Sequence, residues 1–388
     1  MKSIKNIDLN NKTVLVRVDF NVPLNLNKVS DDSRIKASLE TIKYLIEQNS
    51  KIVLISHLGR PNGEYDEKLS LKPVKLHLEK LLKNSIKFLN LKNFEETKNQ
   101  IQEQKNTEIT LLENIRFFPE EEKNDDDFAK KLASLGDIFI NDAFATSHRS
   151  HASTVGISKY LQAYPGLLME KEIKSLDRFI NNNNHPFTVI MGGAKLETKI
   201  NVIENFANKA DSFIFGGGIA NTFLYEKGIE IGNSLAERKK SELIEELSRK
   251  LKKIHLPIDV IVAKALDSED SRACSASEVD KNEMILDIGK KSIEKYKNII
   301  KKSKTIIWNG PVGAYENPNF ANGTKHIAEA ISNAAQKGTE VLIGGGDSVD
   351  AINKFNINTQ HITHISTGGG AMLEYMEGKK LPGIKALS

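Results

Sequence analysis

A single cysteine, Cys274, stands in this chain of 388 residues, so an internal disulfide and a metal site built from several thiolates are both excluded. An excess of one charge is also lacking. Lys and Arg outnumber Asp and Glu by only 55 − 51 = 4, which does not favour nucleic acid or an anionic membrane as a partner. No apolar run approaches the roughly 18 residues that span a bilayer, and the polar N-terminus lacks a signal-peptide core. We therefore expect a soluble, cytoplasmic protein.

Several common catalytic and nucleotide-binding motifs are absent as well. No G-x-x-x-x-G-K-[ST] segment occurs, which excludes a P-loop protein. None of the three triglycine segments continues into G-x-G-x-x-G, so the dinucleotide fingerprint fails. The absence of H-E-x-x-H and G-x-S-x-G argues against a zinc peptidase and against a serine nucleophile elbow.

Short apolar runs alternate with amphipathic stretches through the whole chain. Helical patterns such as residues 34–47 and 71–82 separate these runs. Continuously apolar strands between helices are typical of βαβ units, so we expect an α/β protein with parallel sheets. The predicted strands are residues 13–18, 51–56, 108–112, 137–140, 187–191, 212–215, 258–262, 305–308, 340–343 and 362–366.

Polar and basic residues follow each of the first four strands. Ligands of open parallel sheets bind beyond the carboxyl ends of the strands. The chain has 9 Arg among its 55 cationic residues, and five of them fall in the first 150 positions, which favours bidentate anion contacts there. One such residue alone indicates a surface charge or a cap, but four strand ends together predict a pocket for a small anion, with Arg34 joining from a helix. The side chains at these ends are Asp19, Asn21, His57, Arg60, Arg116, Arg149 and His151.

Glycines follow five of the six strands in the second half, and only the strand at 258–262 leads elsewhere, to Ala263. Glycines let backbone N–H groups approach a phosphate closely, although one triglycine alone indicates a tight turn. Asp347 follows residues 344–346 and is suited either to Mg²⁺ on nucleotide phosphates or to capping a helix over 349–354. Glu316 is suited to a ribose hydroxyl or to solvent.

Residues 186–203 read as a strand, a glycine turn and a helix. On that helix Lys195 and Lys199 are four residues apart, so we expect both ammonium groups to point the same way. An anion lying near both would offset their repulsion. The polar run at 181–184 and Pro186 precede this stretch and predict the end of a helix, which we interpret as the connector between two domains.

Eight motifs closely resemble the phosphoglycerate kinase family, in the family's order across nearly the whole chain. They are RVDFNVP (17–23), HLGRP (57–61), ENIRF (113–117), SHRSH (147–151), GGAKLETK (192–199), WNGPVGAYE (308–316), GGGDS (344–348) and STGGGA (366–371).

The resemblance implies two doubly wound, Rossmann-like domains that face each other across a hinged cleft. Residues 1–168 would bind 3-phosphoglycerate or 1,3-bisphosphoglycerate, and residues 186–370 would bind ADP or ATP with Mg²⁺. Residues 169–185 would form the interdomain helix and hinge, and a tail at about 371–388 would return to the first domain. The family expectation is a monomer.

Site residues follow from the same resemblance. Arg34, Lys195 and Lys199 would act in phosphoryl transfer, and Asp347 would hold the metal. The glycerate substrate would be held by Asp19, Phe20, Asn21, Arg34, His57, Leu58, Gly59, Arg60, Arg116 and Arg149. The nucleotide would be held by Lys199, Gly217, Gly218, Asn309, Gly310, Val312, Glu316, Gly345, Gly346, Asp347 and Ser348.

The implied reaction is reversible phosphoryl transfer from 1,3-bisphosphoglycerate to ADP in glycolysis. Such transfer depends on positioning and charge stabilisation, so it needs no Ser, Cys or His nucleophile. Two other interpretations stay open at this point. One is a two-domain anion or nucleotide sensor without turnover, and the other is a kinase for a smaller acyl phosphate such as that of acetate or carbamate.

Overall fold

The computed structural model describes residues 1–182, 184–239 and 241–387. It divides into two compact units: unit 1 is Met1–Lys174 with Lys380–Ser388, and unit 2 is Ser175–Lys379. Each contains a six-stranded parallel sheet with helices, which confirms the predicted α/β fold class. Asn183, Lys240 and Ser388, which fall in the predicted connector, second domain and tail, lie outside the described residues.

In its described residues, unit 1 has eight strands, six helices before unit 2 begins or at its start, and one short helix near the C-terminus; the sixth helix continues into unit 2. The strands are β1 (Thr13–Arg17), β2 (Leu24–Asn25), β3 (Lys28–Val29), β4 (Lys51–Ile55), β5 (Ile86–Leu89), β6 (Ile109–Leu112), β7 (Ile138–Asn141) and β8 (Ala163–Pro165). The helices are α1 (Ser33–Glu47), α2 (Lys72–Leu82), α3 (Phe94–Gln102), α4 (Pro119–Glu122), α5 (Asp126–Ala133) and α6 (Leu167–Ile180).

The large sheet of unit 1 has the strand order β5-β6-β4-β1-β7-β8, and all its neighbours are parallel. From β1 the chain adds β4, β5 and β6 on one side of this strand, and it then adds β7 and β8 on the other side. The direction of winding therefore reverses between β1 and β7. β2 and β3 form a separate antiparallel pair. The edge strands β5 and β8 were not predicted. β5 buries only its first residue, and β8 is three residues long and ends in a proline.

The described residues of unit 2 add nine strands and seven helices. The strands are β9 (Phe187–Met191), β10 (Ser212–Phe215), β11 (Ile254–His255), β12 (Asp259–Ala263), β13 (Arg272–Ser275), β14 (Met284–Ile288), β15 (Thr305–Asn309), β16 (Glu340–Gly344) and β17 (His364–Ile365). The helices are α7 (Ile200–Phe206), α8 (Gly217–Glu226), α9 (Ser241–Lys250), α10 (Lys290–Lys302), α11 (Asn322–Gln336), α12 (Gly346–Lys354) and α13 (Gly370–Met376).

The parallel sheet of unit 2 has the order β11-β10-β9-β15-β16-β17, with the reversal of winding between β9 and β15. The strand predicted at 258–262 does not belong to it. This strand, β12, pairs antiparallel with β13 and β14 in a separate three-stranded sheet. It is also the one predicted strand of this half that no glycine follows. The missing glycine therefore indicated, from the sequence, that this strand lies outside the parallel sheet. Cys274 is buried in β13.

The helix predicted directly after Gly193 begins only at Ile200, so the expectation that Lys195 and Lys199 share a helical face is wrong. Lys195 is exposed, whereas Lys199 is buried and its ammonium donates to the carbonyl oxygens of Gly192 and Asn309. These two hydrogen bonds hold residues 194–199 against the ends of β9 and β15. A helix that continued directly from the glycine turn could not make both contacts.

The start of α6 is fixed to unit 1 by a buried carboxylate. Asp142 Oδ1 accepts the backbone N–H groups of Leu168 and Met169 at 2.9 and 3.2 Å, which satisfies free donors of the first helical turn. A Cβ on Gly166 would lie 2.1 Å from the same oxygen, so only glycine fits beside it. Burial raises the pKa of Asp142 to about 7.

The C-terminal segment from Lys380 is part of unit 1, where the Gly383 N–H donates to the Ser147 carbonyl at 2.8 Å. This segment contains the last short helix, α14 (Pro382–Lys385). Residues 371–379, which the sequence placed in the returning tail, belong to unit 2, where the Asn205 side chain donates to the Met376 carbonyl at 2.5 Å. In the part of the chain that the structure describes, no helix is long and apolar enough to cross a membrane.

Candidate functional site

The loop after β1 and the first turn of α1 meet through an ion pair in unit 1. Arg34 Nη1 donates to Asp19 Oδ2 at 2.7 Å and to the Asn21 carbonyl at 3.3 Å. The Asn21 side-chain oxygen accepts the Gly59 N–H at 2.9 Å, which joins the β1 loop to the β4 loop. Asp19 is buried, whereas the Arg34 side chain is 35% exposed. The ion pair therefore fixes the Arg34 guanidinium while part of it stays accessible to a ligand.

Arg116 lies behind the β4 loop and carries an unused donor. It is only 3% exposed; Nη1 donates to the Gly59 carbonyl at 2.8 Å and Nε lies 3.1 Å from Glu122. Its third nitrogen, Nη2, is buried and has no hydrogen-bond partner. Burial and the charge of Arg149 lower the pKa of Arg116 to about 10. A buried cation with an unpaired N–H is suited to a second acceptor supplied by an anionic ligand.

His57 lies near the positive charges of several arginines. Burial, and then the charges of four arginines, hold its pKa well below the ordinary value, so the ring is neutral at pH 7. Arg149 is half-buried, and its charge also lowers the pKa values of Arg17, Arg116 and His151. The structure therefore gathers residues from all four strand ends into one basic site. The four arginines acting on His57 are Arg17, Arg116, Arg149 and Arg34.

Three other predicted residues of unit 1 have different surroundings. The side chains of Phe20 and Leu58 belong to the hydrophobic core, so only their backbone groups are left for a ligand. Leu58 is further fixed by Asn114, which accepts its N–H and donates to its carbonyl. Arg60 is exposed, and within the described residues its side chain has no hydrogen bond or ion pair.

The centre of the unit 2 site is the buried ammonium of Lys199, between the ends of β9 and β15. Its Nζ donates to the Gly192 carbonyl at 2.5 Å and to the Asn309 carbonyl at 3.1 Å. Burial lowers the pKa of Lys199 to about 8, and the charge of Asp347 opposes this shift. Asn309 also contributes a buried side-chain nitrogen, Nδ2, that has no partner. The ammonium is thus close to a free carboxylate and an unused amide donor.

Most glycines around Lys199 are needed for close packing of the backbone. A Cβ on Gly192 would lie 1.9 Å from the Pro311 carbonyl oxygen, and one on Gly218 would lie 2.3 Å from that of Ala194. Gly217 (φ +57°) and Gly310 (φ +89°) have positive φ angles, and a Cβ added to each would lie 2.9 and 2.5 Å from a backbone carbonyl oxygen. Gly346, in contrast, has no atom within 4 Å of its Cβ position, so its free face is open to a ligand.

The N-terminus of α12 presents free donors and one free acid. Gly345, with φ +91°, is the N-cap, and the helix starts at Gly346, not at 349 as predicted. Asp347 therefore lies in the first turn; it is exposed, and its side chain has no hydrogen bond among the described residues, so the capping interpretation is wrong. The buried Ser348 hydroxyl accepts the Gly310 N–H at 2.7 Å, which ties α12 to the loop after β15.

Two further predicted nucleotide residues lie near this loop. The Val312 side chain is buried in the core, and its carbonyl accepts the Gly217 N–H at 3.0 Å. Glu316 is exposed, and its own carbonyl accepts from the Lys354 ammonium at 2.8 Å. Val312 thus positions Gly217 at the start of α8, and the Glu316 carboxylate is left to solvent or a ligand.

Comparisons with known proteins agree on one family. A family model described as phosphoglycerate kinase matches residues 4–379. The phosphoglycerate kinase of Pseudothermotoga lettingae is 47% identical, over 100% of this chain and 98% of the relative, and that of Borrelia garinii subsp. bavariensis is 47% identical, over 97% and 96%. The solved structure of phosphoglycerate kinase from Coxiella burnetii has a TM-score of 0.87 at 39% identity, covering 99% of this chain and 98% of that one.

The chain belongs to the phosphoglycerate kinase family. It is a glycolytic phosphotransferase, which moves a phosphoryl group reversibly between 1,3-bisphosphoglycerate and ADP. This result excludes the sensor and the kinase for a smaller acyl phosphate as the main activity.

Sequence reasoning missed a buried polar layer next to the basic site of unit 1. Glu121 lies in the charged segment at 120–127, yet it is fully buried and accepts the N–H and the hydroxyl of Ser153 at 2.8 and 2.6 Å. Arg17, whose Nε donates to the Ser153 hydroxyl at 2.9 Å, is also fully buried. Arginine is scarce in this lysine-rich chain, and a lysine would satisfy a simple surface role. An arginine at position 17 therefore indicated a specific role for this side chain.

Proposed function

We propose that the two units divide the substrates, with glycerate phosphates on the arginine site of unit 1 and the nucleotide at the glycine loops of unit 2. The observation that carries the first assignment is the convergence of Arg34, Arg116 and Arg149, with one buried guanidinium nitrogen unpaired. The second rests on the open backbone at Gly346, beside the helix N-terminus and the Lys199 ammonium. Transfer then requires a state in which the two bound substrates meet without intervening water.

The proposed mechanism uses charge and position in place of covalent catalysis. Arg34, fixed by Asp19, orients the carboxyl oxygen of the glycerate substrate. Lys199 neutralises oxygens of the phosphoryl group in transit, and the exposed Lys195 assists at a longer reach. In the reverse direction the attacking carboxylate is already ionised at neutral pH, so no general base is needed.

The unit 2 site fits a Mg²⁺ ion held mainly by the nucleotide. Among the described residues no group of three or more His, Cys, Asp or Glu forms a dedicated cage. Asp347 supplies one free carboxylate at the helix N-terminus, and Mg²⁺ in nucleotide sites is commonly held by one or two carboxylates plus phosphates. The ion would supply neutralisation of phosphate charge. We further propose a monomer that acts in the cytoplasm.

Replacing Arg149 with alanine tests the division of substrates. Because Arg149 is half-buried and joins the arginine site, its loss should weaken 3-phosphoglycerate binding roughly tenfold or more and leave ADP affinity within about twofold. Isothermal titration calorimetry with each ligand separately measures both effects. Arg272→Ala is a suitable control, since Arg272 is paired with Glu283 in the small sheet of unit 2. An equal loss for ADP would place Arg149 outside a glycerate site.

Replacing Asp347 with asparagine tests the metal assignment. The free Mg²⁺ concentration needed for half-maximal activity should rise about tenfold, because the carboxylate charge is lost without a change of size. Asp350→Asn on the same helix is the matched control, since Asp350 accepts the Tyr315 hydroxyl at 2.7 Å. An unchanged Mg²⁺ requirement in Asp347→Asn, with ADP affinity intact, would remove Asp347 from the metal site.

A further inference from the structure

Arg17 lies at the end of β1 and every nitrogen of its guanidinium has a defined neighbour. Nε donates to the Ser153 hydroxyl at 2.9 Å and Nη1 donates to the Val18 carbonyl at 2.5 Å. Nη2 lies 3.1 Å from Nδ1 of His57. The side chain is fully buried, so no water competes for these positions.

A guanidinium group has five N–H donors and no acceptor, so Nδ1 of His57 must be the acceptor in this contact. The ring nitrogen therefore carries a lone pair and no proton. Among the described residues, the carboxylate oxygen that approaches Nδ1 is Asp19 Oδ1, and its distance of 3.9 Å is too long for a hydrogen bond. Asp19 is instead engaged by Arg34 at 2.7 Å.

We infer that Arg17 holds His57 in the neutral tautomer with its proton on Nε2, so that the ring presents a hydrogen-bond donor to the substrate. That the ring faces a substrate rests on the proposed function, whereas the tautomer does not. Arg17 is a positioning residue, because it acts through His57.

The surroundings disfavour a doubly protonated ring. An imidazolium would direct an N–H from Nδ1 against the N–H of Arg17. Burial and the positive charges of Arg17, Arg116, Arg149 and Arg34 all lower the pKa of His57, and the facing carboxylate of Asp19 is 3.9 Å from Nδ1. The ring consequently stays neutral across the physiological pH range.

Two buried residues keep Arg17 in this orientation. The Ser153 hydroxyl accepts from Arg17 Nε and donates to Glu121 Oε1 at 2.6 Å, while the Ser153 N–H donates to Glu121 Oε2 at 2.8 Å. Glu121 thus offsets the buried charge of Arg17 and fixes the hydroxyl between them. This arrangement leaves Arg17 no other direction for Nη2.

The other ring nitrogen is available to a ligand. Among the described residues, Nε2 of His57 has no hydrogen-bond partner, and it is not one of the fully buried polar atoms that lack one. An Nε2–H group is suited to an oxygen of the glycerate substrate, and as a neutral donor it would contribute equally at all pH values in the working range.

Long-range ¹H–¹⁵N correlation spectra of the ¹⁵N-labelled, ligand-free enzyme test the tautomer directly. We expect a pyridine-type Nδ1 and a pyrrole-type Nε2 for His57, unchanged between about pH 5.5 and 8. A proton on Nδ1, or titration within this range, would overturn the inference. Adding 3-phosphoglycerate should shift the Nε2 signal. If it does not, the proposed site fails although the tautomer stands.

Two substitutions of His57 give a kinetic readout that a purely structural role would not produce. The amide nitrogen of Gln reaches the position of Nε2, whereas that of Asn lies near Nδ1. His57→Gln should keep the KM for 3-phosphoglycerate within about threefold, and His57→Asn should raise it roughly tenfold or more. Equal effects of the two, or a smaller effect of Asn, would contradict a donor at Nε2.

Arg17→Met tests the role of Arg17 itself. In the folded variant the loss of the donor should leave His57 as a mixture of both tautomers, and an unchanged single tautomer would show that Arg17 does not select it. Removing a buried cation beside Glu121 endangers folding, so circular dichroism is recorded first. Should this variant not fold, Arg17→Lys, which keeps the charge and moves the donor, supplies the same comparison.

Discussion

Replacing Lys199 with alanine is expected to lower kcat by roughly 100-fold or more while ADP affinity falls only about threefold. Lys199 is 9% exposed, and its ammonium lies between the Gly192 and Asn309 carbonyls, close to the free carboxylate of Asp347. A cation placed this way stabilises charge in the transferring phosphoryl group more than in bound ADP. Steady-state kinetics and calorimetric ADP titration measure the two quantities.

Two further variants make the Lys199 result specific. Lys195→Ala should have a smaller effect, because Lys195 is exposed and lies outside the helix that would have aligned the two lysines. Lys325→Ala, an exposed lysine on α11, should leave both quantities unchanged. If Lys199→Ala kept turnover within about twofold of wild type, its assigned role in transfer would be wrong.

The pH dependence gives an independent check on Lys199. Its pKa of about 8 in the free enzyme lies below the roughly 10.4 of an unperturbed lysine, because burial disfavours the charged form. The group is a cation below its pKa and neutral above it, so kcat/KM should decrease as pH rises through about 8. In Lys199→Ala this decrease should be absent.

Replacing Gly192 with alanine is expected to lower the free energy of unfolding by about 3 kcal/mol or more. The added Cβ would lie 1.9 Å from the Pro311 carbonyl oxygen and 2.8 Å from that of Gly310, and these are backbone atoms that cannot turn away. The same shift would also move the Gly192 carbonyl away from Lys199. Urea unfolding followed by circular dichroism measures the loss.

Gly346→Ala is the matched variant with the opposite expectation. Its Cβ meets no atom within 4 Å, and alanine is favoured over glycine in a helix, so stability should hold or rise slightly. ADP affinity should fall roughly tenfold, since the methyl group would occupy the space proposed for a phosphate. Gly370→Ala, equally open at the start of α13, should change neither quantity. Unaltered ADP binding by Gly346→Ala would remove the backbone at α12 from the phosphate site.

The parallel sheets could be predicted because their central strands are covered on both faces and show as continuous apolar runs. The bounds of β1 and β4 were therefore correct to within one residue, and β9 and β10 were correct as stated. The grouping of the loops after the strands of unit 1 followed from the same runs, since residues directly after parallel strands meet at one edge of a sheet. That logic gathered His57 and Arg116 correctly from distant positions.

The rest depended on contacts between residues far apart in the chain. Glu121 belongs to a charged stretch, and nothing beside it in the sequence shows that Arg17 and Ser153 will compensate its burial. Lys199 fits a helical pattern, but its ammonium instead binds the carbonyl oxygens of Gly192, directly after β9, and of Asn309, at the end of β15. In each case a long-range polar contact outweighed the local pattern.

The buried hydrogen bond between the Ser348 hydroxyl and the Gly310 N–H joins the first turn of α12, which follows β16, to the loop after the neighbouring strand β15. Because the bond exists before any ligand arrives, the conformational entropy of ordering these two segments is lost during folding. Less of the nucleotide's binding energy is then needed to order the residues that bind it. Only the hydroxyl oxygen takes part, so threonine would serve as well as serine, whereas alanine would leave the two segments free to move independently.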